Sequence, residues 1–403
     1  MAEVWRRNQY VTVAMVFVVF TGFAFVLPFL PLFVRELGVS DPERAALWAG
    51  VLIGVSPLAA GLLAPVWGRL ADRYGHKPMA LRALAAYVVL LVLSARVESV
   101  EQLFVLRLGI GLFGGIGPLG LAMATAHAPR DLTGRAVGLV QAAQIMSAAI
   151  GPFVGGALAD TVGFRATFLV TAAACGGALV LVMLLYDEAA GPAAPPTGDS
   201  GVRLTDLLRL PGVAGLLAIL FLVNFIGRSF TPILPMQLGE LGVSVSRLSV
   251  TTGLLISLYS VAAALSAAGL GRLSRHHPPG RLLVLSLAGG AVTVLPMGMV
   301  ERFPPMLAFA VLLGLASGGA LTLCYTIGGL AVPHGHRGAA FGFFSGAALF
   351  GGAISPSVAG LLAHFGLRSI YWVNAALFLS LAMAVALRPE PRPAATMPET
   401  DPP

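Results

Sequence analysis

The chain has 403 residues, of which 57% are strongly apolar and 11% charged, with a mean hydropathy of +0.87. Soluble domains carry about a quarter charged residues, so this composition cannot coat a water-facing surface, and it equally excludes a disordered chain. Having only two cysteines, Cys175 and Cys324, excludes a disulfide scaffold. A net charge of +7 scattered over short gaps between apolar runs offers no stripe to follow a nucleic-acid backbone.

In chain order, Arg6 and Arg7 precede an apolar run too long for a signal-peptide core, which reads as a retained first membrane span. Hydropathy predicts six spans near 10–34, 48–67, 78–96, 102–125, 137–160 and 164–186. Residues 187–212, rich in Pro, Gly and Ala, read as a flexible cytoplasmic linker in which Val202 to Leu210 is a short surface helix. Six further spans follow near 213–238, 248–270, 281–300, 305–330, 340–363 and 369–388, and the Pro-repeated tail 389–403 is expected to be disordered. With the N-terminus inside, sixteen of the 25 basic residues fall on the inner side, seven on the outer side, and two, Arg107 and Arg228, within spans. That asymmetry favours both termini in the cytoplasm. Trp5, Trp48, Trp67 and Trp372 all fall at predicted span ends, as an interfacial belt requires.

The two halves repeat each other at an offset of about 204 residues. Pro28-Phe-Leu-Pro31 followed by Glu36-Leu-Gly-Val-Ser40 recurs as Pro232-Ile-Leu-Pro235 followed by Glu240-Leu-Gly-Val-Ser244. Gly68-Arg69-Leu70 recurs as Gly271-Arg272-Leu273, Gly114-Gly115 as Gly318-Gly319, and Ile150-x-Pro152 as Ile354-x-Pro356. An ordered series of this kind marks a parallel six-plus-six duplication, the pattern of carriers that rock two halves about a central site. The expected fold is therefore an all-α integral membrane protein, with bundles over 1–186 and 213–388.

The loop after span 2 reads Gly68-Arg69-Leu70-Ala71-Asp72-Arg73-Tyr74-Gly75-His76-Lys77. Gly68 and Gly75 permit a tight turn, and Asp72 can meet the positive end of a neighbouring helix. The alternative is a plain basic anchor on the inner face. The segment closely resembles the signature loop of the major facilitator superfamily, G-x-L-A-D-R-x-G-R-K, with His76 where that pattern has Arg. The resemblance implies that Asp72 contacts the start of span 11 and latches the cytoplasmic side shut. The second-half copy lacks the carboxylate. In span 5, Gly151-Pro152-Phe153-Val154-Gly155-Gly156 resembles the antiporter motif of proton-coupled drug exporters in the same superfamily, with Ser147 replacing a preceding glycine. Its glycines allow close helix approach and Pro152 bends the span. Arg107-x-x-x-Gly111 in span 4 resembles the basic motif of those exporters, and the likeness as a whole is to the bacterial twelve-span multidrug efflux branch.

Charges at membrane depth cost several kcal/mol and are usually functional. Arg107 is read as a cavity or coupling residue, with snorkelling to the outer interface as the alternative. Arg228 is placed on one helical face with Asn224 and Thr231, and Gln141 with Gln144 forms a similar pair on span 5. Phe20, Phe23, Phe343, Phe344 and Tyr325 offer an aromatic lining or ordinary packing. No Asp or Glu falls in the middle of a span, so the proton carrier is not identified; Asp72, Asp160 and His127 are candidates, each with an interfacial structural role as the stronger reading. His276, His277, His334 and His336 lack flanking Cys or carboxylate ligands and read as loop residues rather than a metal site.

The function expected is proton-coupled efflux of small amphipathic compounds by alternating access, by a monomer in the lipid bilayer that needs no cofactor and has no nucleic-acid partner. A carrier for one metabolite, such as an organic anion drawn to the intramembrane arginines, is the second reading. A membrane-embedded enzyme lacks a nucleophile–base grouping, and a non-transporting receptor would not need both the latch loop and the bent fifth span.

Overall fold

A computed structural model describes residues 2–126, 128, 132–188, 212–332 and 337–387. The linker from 189 to 211, with its surface helix and Arg203 and Arg209, lies outside the described residues, as do His127, Arg130, His334, His336 and the tail. Among the described residues there is no strand. Eleven helices are long and apolar enough to cross a membrane, and the bent pair Val213–Ser229 and Leu234–Glu240 makes a twelfth span. The molecule is a multi-pass membrane protein of two pseudo-symmetric six-helix bundles.

Span 1 comprises helices Ala2–Val26 and Leu30–Glu36, span 2 is Pro42–Tyr74, span 3 is His76–Ser94, and span 4 comprises Val100–Phe113 and Ile116–Ala126. Span 5 is Thr133–Val162 and span 6 is Phe164–Leu185. Span 7 is the bent pair, span 8 is Leu248–Leu273, span 9 is Pro279–Met297, and span 10 comprises Phe303–Ser317 and Ala320–Ala331. Span 11 is Arg337–Leu362 and span 12 is Ser369–Ala386.

The repeated motifs mark where the helices break. Pro31 and Pro235 occupy the opening turns of the second helices of spans 1 and 7, where a missing N–H costs nothing. Gly114-Gly115 and Gly318-Gly319 interrupt spans 4 and 10, and Gly115 takes a φ of +106° that only glycine adopts freely. The carbonyls freed at the first of these breaks are taken up by side chains: Trp67 Nε1 donates to Leu112 O at 2.8 Å and Arg82 Nη2 to Gly114 O at 3.3 Å. The Arg82 guanidinium also lies 3.4 Å above the Trp67 ring. The span 2 helix continues about two turns beyond its predicted end at Trp67, to Tyr74, and Arg82 lies within the span 3 helix. In the second half the neutral serines Ser266 and Ser286 do the equivalent work, on Gly319 N at 3.2 Å and Ala316 O at 2.6 Å.

The halves meet along two seams, span 5 against span 8 and span 2 against span 11. At one end of the bundle these seams are closed at backbone distance. A Cβ on Gly253 of span 8 would fall 2.6 Å from the Pro152 carbonyl carbon, and one on Gly50 of span 2 would fall 2.7 Å from that of Pro356. These two contacts are exact repeat counterparts. Asp160 Oδ2 accepts from Val250 N at 2.8 Å, Phe153 N donates to Ser257 Oγ at 3.1 Å, and His364 Nδ1 lies 2.7 Å from Glu43 Oε2. We refer to this as the sealed end.

Candidate functional site: a mid-depth cavity and its seals

At mid-depth in the second half a cavity of about 240 Å³ lies among spans 7, 8, 10 and 12. Its walls are apolar apart from Asn224, Arg228, the Tyr259 hydroxyl and Ser317. A pocket of mostly apolar lining with a few convergent polar groups suits a small amphipathic molecule. Arg228 and the adjacent Gly227 are accessible despite their place within span 7. The Arg228 side chain runs along span 11, where a Cβ on Gly352 would meet its Cγ at 3.4 Å and Asn224 Oδ1 at 3.9 Å. No acidic side chain lines the cavity.

Several sequence expectations change here. Thr231 does not share a helical face with Arg228, because the helix ends at Ser229 and Thr231 lies in the bend before Leu234. Its place beside Arg228 and Asn224 is taken by Tyr259 of span 8, which no pattern within span 7 could indicate. Gln141 is exposed and Gln144 half-buried, and neither lines the cavity. Tyr325 stacks on Phe341 with centroids 6.0 Å apart and also lies off the cavity, while Phe344 is fully buried core and Phe23 packs edge-on against Tyr87. Arg107 is 4% exposed, so it does not snorkel to the interface; its Nε has no hydrogen-bond partner among the described residues.

The span 5 motif divides its residues between two partners. Gly151 and Gly155 admit span 1 at Thr21, Ala24 and Phe25, whereas Gly156 and the Pro152 carbonyl face Ser249 and Gly253 of span 8. Ser147, in place of a glycine, is buried and bonds to span 1, donating to Phe17 O at 3.0 Å and meeting Thr21 Oγ1 at 2.9 Å. Its repeat counterpart is Gly351, and the counterpart of Gly151 is Ser355, which bonds to Phe225 O. Serine and glycine have thus exchanged places between the halves while each span keeps one close approach and one cross-helix bond. Asp160 is an interfacial residue: Ser249 N and Val250 N donate to its carboxylate, and it does not face Arg228.

The signature loop is only partly a turn. Gly68 lies inside the span 2 helix with open space around it, so nothing there requires glycine. Gly75 does require it, with φ +94° and the Glu188 carboxylate 2.6–2.8 Å from where a Cβ would be. Arg69 and Arg73 are exposed, and the Asp72 side chain lies outside what is described. Glu188, just past span 6, caps span 3: His76 N–H donates to it, and Lys77 N donates at 3.1 Å to Oε2. Lys77 Nζ donates to Tyr186 O at 2.7 Å. Burial, and secondarily the Glu188 charge, push the Tyr186 phenol above its ordinary value. Sequence reasoning missed Glu188, since the helix start it caps lies more than a hundred residues earlier.

The model of the family described as Major Facilitator Superfamily matches residues 12–251 and 216–402. The chain belongs to this superfamily. A multidrug resistance protein MdtG of Yersinia enterocolitica is 30% identical over 381 residues, covering 94% of this chain and 92% of the relative. The Klebsiella pneumoniae protein of the same name is 30% identical over 401 residues, covering 98% and 97%. Among solved structures, a bacterial homologue of the human lysosomal transporter Spinster in an inward-facing, occupied conformation matches with a TM-score of 0.78 at 16% identity, over 94% of this chain and 95% of that one. The human organic anion transporter MFSD10 matches at 0.68, also 16% identical, over 94% and 99%. These two likenesses concern the fold of this superfamily member.

Proposed function

We propose that this chain is a secondary active exporter that moves small amphipathic compounds, drugs among them, out of the bacterial cytoplasm by alternating access. The observation that carries the reading is the mid-depth cavity of the second half, with Arg228 accessible in its wall, in a molecule whose two halves close at backbone distance at one end. Near-full-length similarity to multidrug resistance proteins supports drugs as the cargo. The excess of basic residues on one side supports both termini in the cytoplasm, which makes the sealed end the outer face and the conformation inward-open. The antiporter-like motif in span 5 supports protons as the driving ion, and the buried Arg107, whose Nε has no hydrogen-bond partner among the described residues, is a group on which coupling can act. The working unit is a monomer without cofactor.

A cavity with one cation and no acid repels permanent cations, so neutral and anionic amphiphiles fit it better. This same feature favours the second reading, a carrier for one organic anion. Proteoliposomes loaded with a pH dye and offered cationic, neutral and anionic compounds separate the two. Proton flux evoked by many unrelated compounds is expected; a response to a single anion would establish the second reading, and no proton movement with accompanying transport would remove the coupling. Labelling of a cysteine placed in the linker from outside sealed cells would reverse the orientation.

A further inference from the structure

The outer seal is pseudo-symmetric in position and asymmetric in chemistry. On one flank Asp160, at the end of span 5, receives the backbone N–H groups of Ser249 and Val250 at the start of span 8. The residue 204 positions later is His364, at the end of span 11, and it faces Glu43 in the first turn of span 2 at 2.7 Å. The first joint sets a carboxylate on a helix N-terminus, and carboxylates stay ionised through the physiological range. The second joint depends on an imidazole, whose charge changes between pH 5 and 8. Its side chains are 44% and 47% exposed, so water on that face reaches the pair while the seal is closed.

Spans 2, 11 and 12 pack around His364. The other charged groups at this end of those elements are Asp41 and Arg44 of span 2 and Arg368 just before span 12; span 11 carries none between Arg337 and His364. Arg44 and Asp41 approach each other at 3.8 Å, and Asp41 also caps span 2. Tyr371 is buried and hydrogen-bonded to Gln237. Glu43 is therefore the acidic group opposite the ring.

We propose that Glu43 and His364 form a proton-binding site on the outer face whose occupancy closes the outer gate. The proposal rests on the alternating-access reading and adds external pH as its regulator. A charged ring attracts the carboxylate across the two halves, whereas a neutral ring holds it only as a hydrogen-bond donor. When the halves part at this end, both contacts are lost. Acid therefore favours the sealed conformation and alkali releases it. A proton held here remains on the outer side while the seal is shut, so the site biases the conformational cycle and does not carry the coupling ion.

The test uses the full-length chain in nanodiscs without substrate, with Cys175→Ala and Cys324→Ala and spin labels at Arg96→Cys and Arg302→Cys. Both labelled positions are exposed and lie at the sealed end, one in each half. The ratio of short to long inter-label distances is expected to rise about two- to fivefold from pH 8.5 to pH 5.5, the range that an exposed ion pair supplies. Glu43→Gln and His364→Gln should each flatten that response. Asp160→Asn should lower the short-distance population at every pH and keep the response. A flat parent profile, a response that survives in either Glu43→Gln or His364→Gln, or its loss in Asp160→Asn as well would overturn the proposal. Drug susceptibility of cells expressing the same variants is read separately: a pH-driven gate in a protein that exports nothing would sink the transport reading and leave the gate standing.

Discussion

Gly253→Ala is the substitution whose effect follows most directly from the packing. The added methyl would lie 2.6 Å from the Pro152 carbonyl carbon and 3.0 Å from Phe153 Cα, where ordinary contact begins at about 3.4 Å. Both neighbours are backbone of a helix that cannot step aside alone, so spans 5 and 8 must separate. Overpacking of one methyl costs about 1–3 kcal/mol, and rigid neighbours put this site in the upper part of that range. The cost falls on the sealed conformation, since the contact exists only across the seam. The gain from replacing glycine by alanine within a helix, about 1 kcal/mol, is shared by both conformations and cancels. The ratio of outer-sealed to outer-open molecules should accordingly drop about 5- to 150-fold. Spin-label distances between Arg96→Cys and Arg302→Cys read the shift, and Gly269→Ala on the same span, with open space around it, is the matched control. An unchanged distance distribution in Gly253→Ala with full transport would refute the reasoning. Gly50→Ala should reproduce the effect on the opposite seam, because its position against Pro356 is the repeat counterpart.

Arg228→Ala should change the choice among anionic, neutral and cationic compounds more than it changes thermal stability, because the side chain is accessible and has no acidic neighbour in the cavity. A destabilised variant that keeps wild-type binding in its folded fraction would contradict this. Asp160→Asn and Asp72→Asn should act in opposite directions. Each removes a charge expected to favour a helix N-terminus by about 0.3–2 kcal/mol, the first at the sealed end and the second at the other end. Distances measured across both ends should show the first variant opening outward and the second opening inward. Trp67→Phe leaves the Leu112 carbonyl without its 2.8 Å donor and should lower stability by about 1–3 kcal/mol in a thermal unfolding assay, whereas an unaltered melting point would mean that water replaces the indole.

The sequence by itself determined the parts of this protein that depend on local chemistry. Apolar runs long enough to cross a bilayer must do so, so span number and order were readable, with ends short by about two turns where polar helix continues beyond the hydrocarbon. The duplicated prolines and paired glycines were readable as a repeat, but not which of them break a helix: Pro31 and Pro235 open new helices, whereas Pro152 and Pro356 lie inside unbroken ones. The ability of Gly151, Gly155 and Gly156 to admit a close neighbour was legible too, although which span each admits was not. What only the tertiary structure decided is every pairing between distant segments. Thr231 lost its face to a bend, Tyr259 took its place beside Arg228 from another span, and Gln141 and Gln144 of span 5 do not line the cavity. Glu188 reached back to cap His76, and His364 met Glu43. Hydropathy measures the cost of removing a segment from water, which is nearly independent of how a helix is rotated about its axis. A side chain's partners are set by that rotation and by the tilt of neighbouring spans, which follow from backbone approach at a few glycines and prolines on helices far apart in the chain.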